Sequence, residues 1–168
     1  MNLKVIGCIF IFGCSVASGM TFVHKLNLHT RFLEDFIKFI AYAETNLQYS
    51  LTSIPDLMSS FKSDSLDYVF LLFQNEFSLG TTLKSAWSNA MGKLPKSYGL
   101  DDADKKLIND FVFGLGTSNV EGQVLHCKLY KELLMKNLSD ARENQKKLSK
   151  VYLTCGAAIG AFVCLILL

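Results

Sequence analysis

Residues 120–168 read VEGQVLHCKLYKELLMKNLSDARENQKKLSKVYLTCGAAIGAFVCLILL, a run without proline in which Gly122, Gly156 and Gly160 are the only weak helix breakers. Proline absence and a persistent 3–4 apolar spacing predict one helix of about 75 Å at ~1.5 Å per residue. Val120, Val124, Cys127, Leu134, Leu138, Ala141, Leu148 and Tyr152 give it a seam against which another helix can lie. Its last 18 residues, Val151 to Leu168, carry no charge. A run of that length reaches the ~17–25 residues that cross a bilayer core, so the helix is expected to pass from a polar domain into a membrane.

The other end of the chain has a matching run. Val5 to Val23 is 19 residues without a charge. The whole chain has 168 residues, 50% of them apolar and 19% charged, too apolar for an ordinary small soluble domain. Between the two runs, residues 24–150 hold 31 of the 32 charges, close to a globular composition and long enough to bury a core. The expected organisation is an N-terminal transmembrane anchor over 1–23, a helical domain over 24–150 and a C-terminal transmembrane helix over 151–168. A net charge of +2 without a clustered basic face argues against nucleic acid as a partner.

Two readings of the N-terminus stand. Ala17-Ser18-Gly19 after an apolar stretch matches a signal-peptide cleavage site, which would leave a surface protein held by its C-terminal span. Charge flanks favour an uncleaved anchor: Lys25, Arg31 and Lys38 follow the first run, and Lys131, Lys136, Arg142, Lys146, Lys147 and Lys150 precede the second, against Lys4 alone on the far sides. The positive-inside rule then puts the middle domain in the cytoplasm. Cys8, Cys14, Cys155 and Cys164 lie in the runs and Cys127 alone in the domain, which leaves no disulfide framework.

Within the domain the periodicity is helical throughout, and no alternating run is long enough for a sheet. Leu26, His29, Leu33, Phe36, Ile40, Ala43 and Leu47 form one apolar stripe ending before Pro55, which opens a short helix to about Lys62. Ser63 or Asp64 is expected to cap a third helix ending at Gly80, and Thr81 or Thr82 a fourth carrying Ala86, Trp87 and Ala90. Gly92 to Gly99 reads as a loop. Asp101 and Asp104 mark the start of a fifth helix that stops at Gly114 and Gly116, and Asn119 caps the last. The fold class is all-α, a helical bundle.

No constellation in the chain carries chemistry. His126 and Cys127 point about 100 degrees apart on a helix and read as packing. His24 and His29 lack companion zinc ligands and are expected at the membrane interface. Asp101, Asp102 and Asp104 complement a helix dipole rather than hold a metal. Gly114-Leu115-Gly116 has no Lys-Ser/Thr after it, so no cofactor is expected. The Asn137-Leu138-Ser139 sequon falls on the cytoplasmic side. Lys146, Lys147 and Lys150 read as membrane-orienting snorkellers, with anionic lipid heads as the alternative. Gly156 and Gly160, four apart, strip side chains from one helix face; Gly13 and Ala17 are the matching pair on the first run, for pairing of these helices or of two copies of the chain.

Several segments together resemble the stage III sporulation protein AB family of endospore-forming bacteria. Tyr49-Ser50-Leu51-Thr52-Ser53-Ile54-Pro55 stands where the family tends to read Tyr-Gly-x-Thr-Pro-Leu, and Ala86-Trp87 with Ala90 matches its Ala-Trp-x-x-Ala box. Phe113-Gly114-Leu115-Gly116 leads to Asn119, Gln123 and His126, where the family has Phe-Gly-x-x-Leu-Gly-x-x-Asp. Alignment on Phe113 shortens that spacing, while alignment on Phe111 keeps Leu115-Gly116 and loses the first glycine. The resemblance implies a non-enzymatic membrane component of the channel-like feeding-tube complex between mother cell and forespore. It implies a cytoplasmic domain similar to that of type II secretion F platform proteins, with other stage III subunits and the secretion-type ATPase, stage III sporulation protein AA, as partners.

Overall fold

A computed structural model describes residues 2–49 and 52–167, the side chains of residues 2–6, 8, 9, 12, 164, 166 and 167 excepted. The described residues form helices and connecting turns, without a strand. Two helices of 48 residues dominate: α1, Asn2–Tyr49, and α6, Val120–Leu167. Each is about 72 Å long at ~1.5 Å per residue. Between them run α2, Ile54–Ser60; α3, Asp67–Ser78; α4, Leu83–Gly92; a 3₁₀ turn, Lys96–Tyr98; and α5, Asp102–Gly114. The all-helical reading of the sequence is the architecture found, and the last helix is unbroken. The first apolar run and the Leu26–Leu47 stripe are also one helix, since nothing between Val23 and Leu26 breaks it.

The long helices are antiparallel partners along most of their length. Arg142 reaches Glu34 at 2.9 Å, Lys131 approaches Glu44 at 3.9 Å, and Gln145 donates to Asn27. Phe32, Phe36 and Ala43 of α1 and Cys127, Leu134 and Leu138 of α6 are buried in the common core. Val120, expected on the seam, is 43% exposed.

The short helices close over one side of this pair. Their core is aromatic: Phe39 meets Phe70 edge-on at 4.9 Å, Phe36 meets Phe111 at 5.8 Å and Trp87 lies 6.1 Å from Phe73. Edge-to-face rings at 4.5–7 Å add roughly 0.5–1.5 kcal/mol per pair beyond the area they bury. Trp87 is fully buried and its indole N–H donates to Asn109 Oδ1 at 2.9 Å, so its one polar atom is satisfied.

Local signals set most boundaries. Ser53, Thr82 and Asp101 cap α2, α4 and α5, and Asp101 with Asp104 completes a reciprocal capping box. For α3 the expected cap at Ser63 is not used. Ser63 Oγ donates to Asp35 Oδ2 at 2.7 Å, tying the α2–α3 connection to α1, and its backbone N–H goes to Asp67; α3 begins a turn later. Ser65 donates to the same carboxylate. Burial pushes the Asp35 carboxyl up, but the bonds from Lys38, Ser65 and Ser63 outweigh it and hold it below the usual carboxylate range.

Among the described residues no helix is long and apolar enough to cross a membrane. The runs Val5–Val23 and Val151–Leu168 include residues whose side chains, or for Leu168 the whole residue, lie outside the described set.

Candidate functional site

The antiparallel pairing places both apolar runs at one end of the molecule and the α1 C-terminus, the α2 start and the α5–α6 turn at the other. That far tip gathers most of the motif residues read from the sequence. Gly116, at φ +75, lets the chain reverse from α5 into α6 in a conformation that a side chain would strain. Gln123 is buried beneath the turn: its Oε1 accepts from Gly116 N at 3.0 Å and its amide donates to Ser118 Oγ at 3.1 Å. Asn119 Oδ1 accepts from Gly122 N at 3.0 Å and so caps α6, while Leu115 is anchored in the core.

His126 completes the unit. Its ring stacks on Phe111 at 5.4 Å, sits 4.6 Å from Tyr130, and Nε2 donates to the Phe111 carbonyl at 2.9 Å. A Cβ on Gly114 would lie 2.2 Å from His126 Cε1, so Gly114 is what allows this packing. Leu115, Gly116, Asn119, Gln123 and His126 therefore act together to fix the angle between α5 and α6. Pro55 sits in the first turn of α2. Its neighbour Ile54 places Cδ1 3.2 Å from where a Cβ on Gly116 would be, so α2 braces the same turn.

Between α2 and this turn lies a groove of about 310 Å³, walled by Leu47, Ile54, Gly116, Val120 and Gln123. Among the described residues no ionisable side chain lines it. Tyr49 is 80% exposed beside it. Ser50 and Leu51, the middle of the Tyr49–Pro55 motif, lie outside the described residues. Trp87 is remote from the tip, in the aromatic core. Thr52, Ser53 and Ser118 add hydroxyls to the rim, and a notch of this kind on a braced turn can take an apolar side chain from another protein.

A second polar cluster, which the sequence reading did not foresee, joins three helices. Asp104 is 2% exposed; its Oδ2 is 2.6 Å from His29 Nε2 and its Oδ1 accepts from Asn137 Nδ2 at 2.9 Å. Burial pushes its carboxyl up, but the bonds from His29 and Asn137, together with the backbone N–H of Asp101, win and hold it below the usual range. His29, expected at a membrane interface, holds α1 to α5, while Asn137 brings in α6. The only sequence signal was Asp104's place in the capping box, which gave Asp101, one of its three partners. Cys127 is fully buried, and burial pushes its thiol up to about 11. Among the described residues no group of three or more His, Cys, Asp or Glu is placed to hold a metal.

At the apolar end, Ser15 Oγ donates to the Gly156 carbonyl at 2.6 Å, and a Cβ on Gly19 would come 2.9 Å from the Tyr152 carbonyl. Gly156 thus meets Ser15 and Gly19. Gly13 and Ala17 face away, exposed, because residues two apart on a helix point about 200 degrees apart. Gly160 is buried. Lys146, Lys147 and Lys150 are exposed, and Lys147 pairs with Glu143 at 2.5 Å.

The model of the family described as Stage III sporulation protein AB (spore_III_AB) matches residues 4–168. No curated protein and no solved structure matches the chain.

Proposed function

The chain belongs to the stage III sporulation protein AB family, which gives it a role in stage III of sporulation, and on that premise we propose that it is a non-enzymatic membrane platform. Both apolar runs span the mother-cell membrane facing the forespore, and the helical domain stands in the cytoplasm as a fixed post about 40 Å tall (Lys25 to Tyr49 at ~1.5 Å per residue). Its tip docks a secretion-type ATPase, stage III sporulation protein AA, while the spans engage other stage III subunits of the feeding-tube complex. The observation that carries this reading is the position of the groove between Ile54 and Val120. It lies at the end farthest from the apolar runs and is framed by the motif residues Gly116 and Gln123. The charge flanks read from the sequence support the cytoplasmic placement. Retention of the N-terminal helix is supported by the Ser15–Gly156 bond and by the continuity of α1 through Gly19, where signal cleavage would cut it.

The test is co-purification from a sporulating host. Wild-type protein is expected to carry the ATPase with it. Val120→Arg, at an exposed position on the groove wall, should abolish this, while Leu129→Arg, also exposed but on the side of α6, should not. Equal recovery with all three proteins refutes docking at the tip. Normal spore yield after deletion of the gene would refute the platform role as a whole.

A further inference from the structure

A second cavity, of about 550 Å³, opens between α1 and the Gly92–Gly99 segment near the end of the first apolar run. Three lysines from three elements converge on it: Lys25 from α1, Lys96 from the 3₁₀ turn and Lys105 from α5. Ser88, Tyr98 and Asn109 add polar atoms, and no carboxylate lines the wall. Among the described residues Lys25 and Lys96 have no acidic partner, and Lys105 approaches only Asp102, at 3.8 Å on the exposed side. The 3₁₀ turn is held in place at Gly99, whose φ of +72 brings it so close to α1 that a Cβ there would sit 3.2 Å from the Lys25 carbonyl. Three like charges around one cavity repel one another unless an anion joins them.

Lys25 also lines an adjoining apolar groove of about 390 Å³ with Met20, Thr21, His24 and Ser97. It lies two residues, about 3 Å along the helix axis, beyond Val23, the last residue of the apolar run. A cationic cavity joined to an apolar groove at that depth matches a molecule with a phosphate head and a hydrocarbon tail. We propose that this cavity binds the phosphate headgroup of an anionic phospholipid, with an acyl chain along the groove at Met20 and Thr21. The proposal rests on the membrane placement of the first run and adds a bound lipid at the foot of the post, where it would fix the Gly92–Gly99 segment against α1.

The measurement is native mass spectrometry of the full-length protein in neutral detergent, titrated with phosphatidylglycerol or with phosphatidylcholine of the same chains. Retention of phosphatidylglycerol over phosphatidylcholine is expected. At about fivefold per lysine, the triple variant Lys25→Gln, Lys96→Gln, Lys105→Gln should bind roughly a hundredfold more weakly. All three side chains are exposed, and unchanged circular dichroism would confirm that the fold persists. The control triple Lys62→Gln, Lys128→Gln, Lys136→Gln, exposed lysines that line neither cavity, should bind as wild type. Equal retention of the two lipids, or a cavity triple that binds like wild type, overturns the proposal. Displacement of the lipid by millimolar inorganic phosphate would reassign the cavity to a free anion and overturn the lipid assignment. Release of the native protein from cell membranes by alkaline carbonate would sink the membrane placement itself, a failure read separately from the lipid titration.

Discussion

Substitution of Gly114 by alanine separates helix propensity from tertiary packing because the two predict opposite signs. Gly114 is the last residue of α5, with ordinary helical geometry, and alanine is favoured over glycine in a helix by about 1 kcal/mol. The new Cβ would stand 2.2 Å from His126 Cε1 and 2.6 Å from Nε2. The ring cannot simply retreat, since Phe111 is stacked on it and Tyr130 is 4.6 Å away. Swinging it clear forfeits the bond to the Phe111 carbonyl, about 1 kcal/mol, and the stack, about another 1 kcal/mol. Residual overpacking adds about 1 kcal/mol. Against the propensity gain, Gly114→Ala should destabilise by about 2 kcal/mol, a fall in Tm of about 4–8 °C for a chain of this size. Thermal unfolding followed by circular dichroism reads this directly. In a His126→Ala background the overlap is gone, and the same Gly114→Ala change should raise stability by up to about 1 kcal/mol. A Tm for Gly114→Ala at or above wild type would refute the argument that the glycine is required by the imidazole.

Asp104→Asn should cost about 3 kcal/mol at pH 7 by breaking a buried, hydrogen-bonded charge. Because the folded state lowers the pKa of Asp104, its stabilisation is complete above the ordinary carboxylate value of about 4 and fades as pH falls through the folded value. Denaturant titrations should therefore show the gap to wild type closing as pH falls below the ordinary carboxylate range, and a pH-independent gap would contradict the pairing with His29 and Asn137. With the other four cysteines replaced by serine, Cys127 should resist maleimide at pH 8 until the protein unfolds, because its thiol is buried and titrates near 11; rapid labelling of the native protein would argue against that burial. Gly19→Val should force α1 from the Tyr152 carbonyl, 2.9 Å from the new Cβ, and speed hydrogen exchange at the apolar ends of both long helices, whereas Gly13→Val, with open space around it, should not.

The caps show where local reading of the chain works. Ser53, Thr82, Asp101, Asp104 and Asn119 act within three residues of themselves, so their geometry follows from neighbours in sequence. Ser63 looked equivalent and is not, because Asp35, 28 residues earlier, takes its hydroxyl. His29 and Asp104 are 75 residues apart, and no periodicity within either segment reports that they touch. The groove between Ile54 and Val120 was equally hidden. Its motif residues were named from their pattern, but that they form one braced corner required the meeting of α2 with the α5–α6 turn. The partner of Gly156 depends on the rotation of α1 about its axis; two small pairs, Gly13 with Ala17 and Ser15 with Gly19, fit the spacing, and packing brings the second against α6.

By itself the sequence determined the all-helical class, the apolar runs at both ends, most helix boundaries and the unbroken final helix. Those properties arise from short-range sterics, capping bonds and hydrophobic spacing along one stretch of chain. Only the tertiary structure decided which small residues meet, that a histidine pairs with a buried aspartate, and that three lysines from separate helices and turns surround one cavity. Such contacts are set by the relative rotation and height of packed elements, and a difference of one residue turns a helical side chain by about 100 degrees.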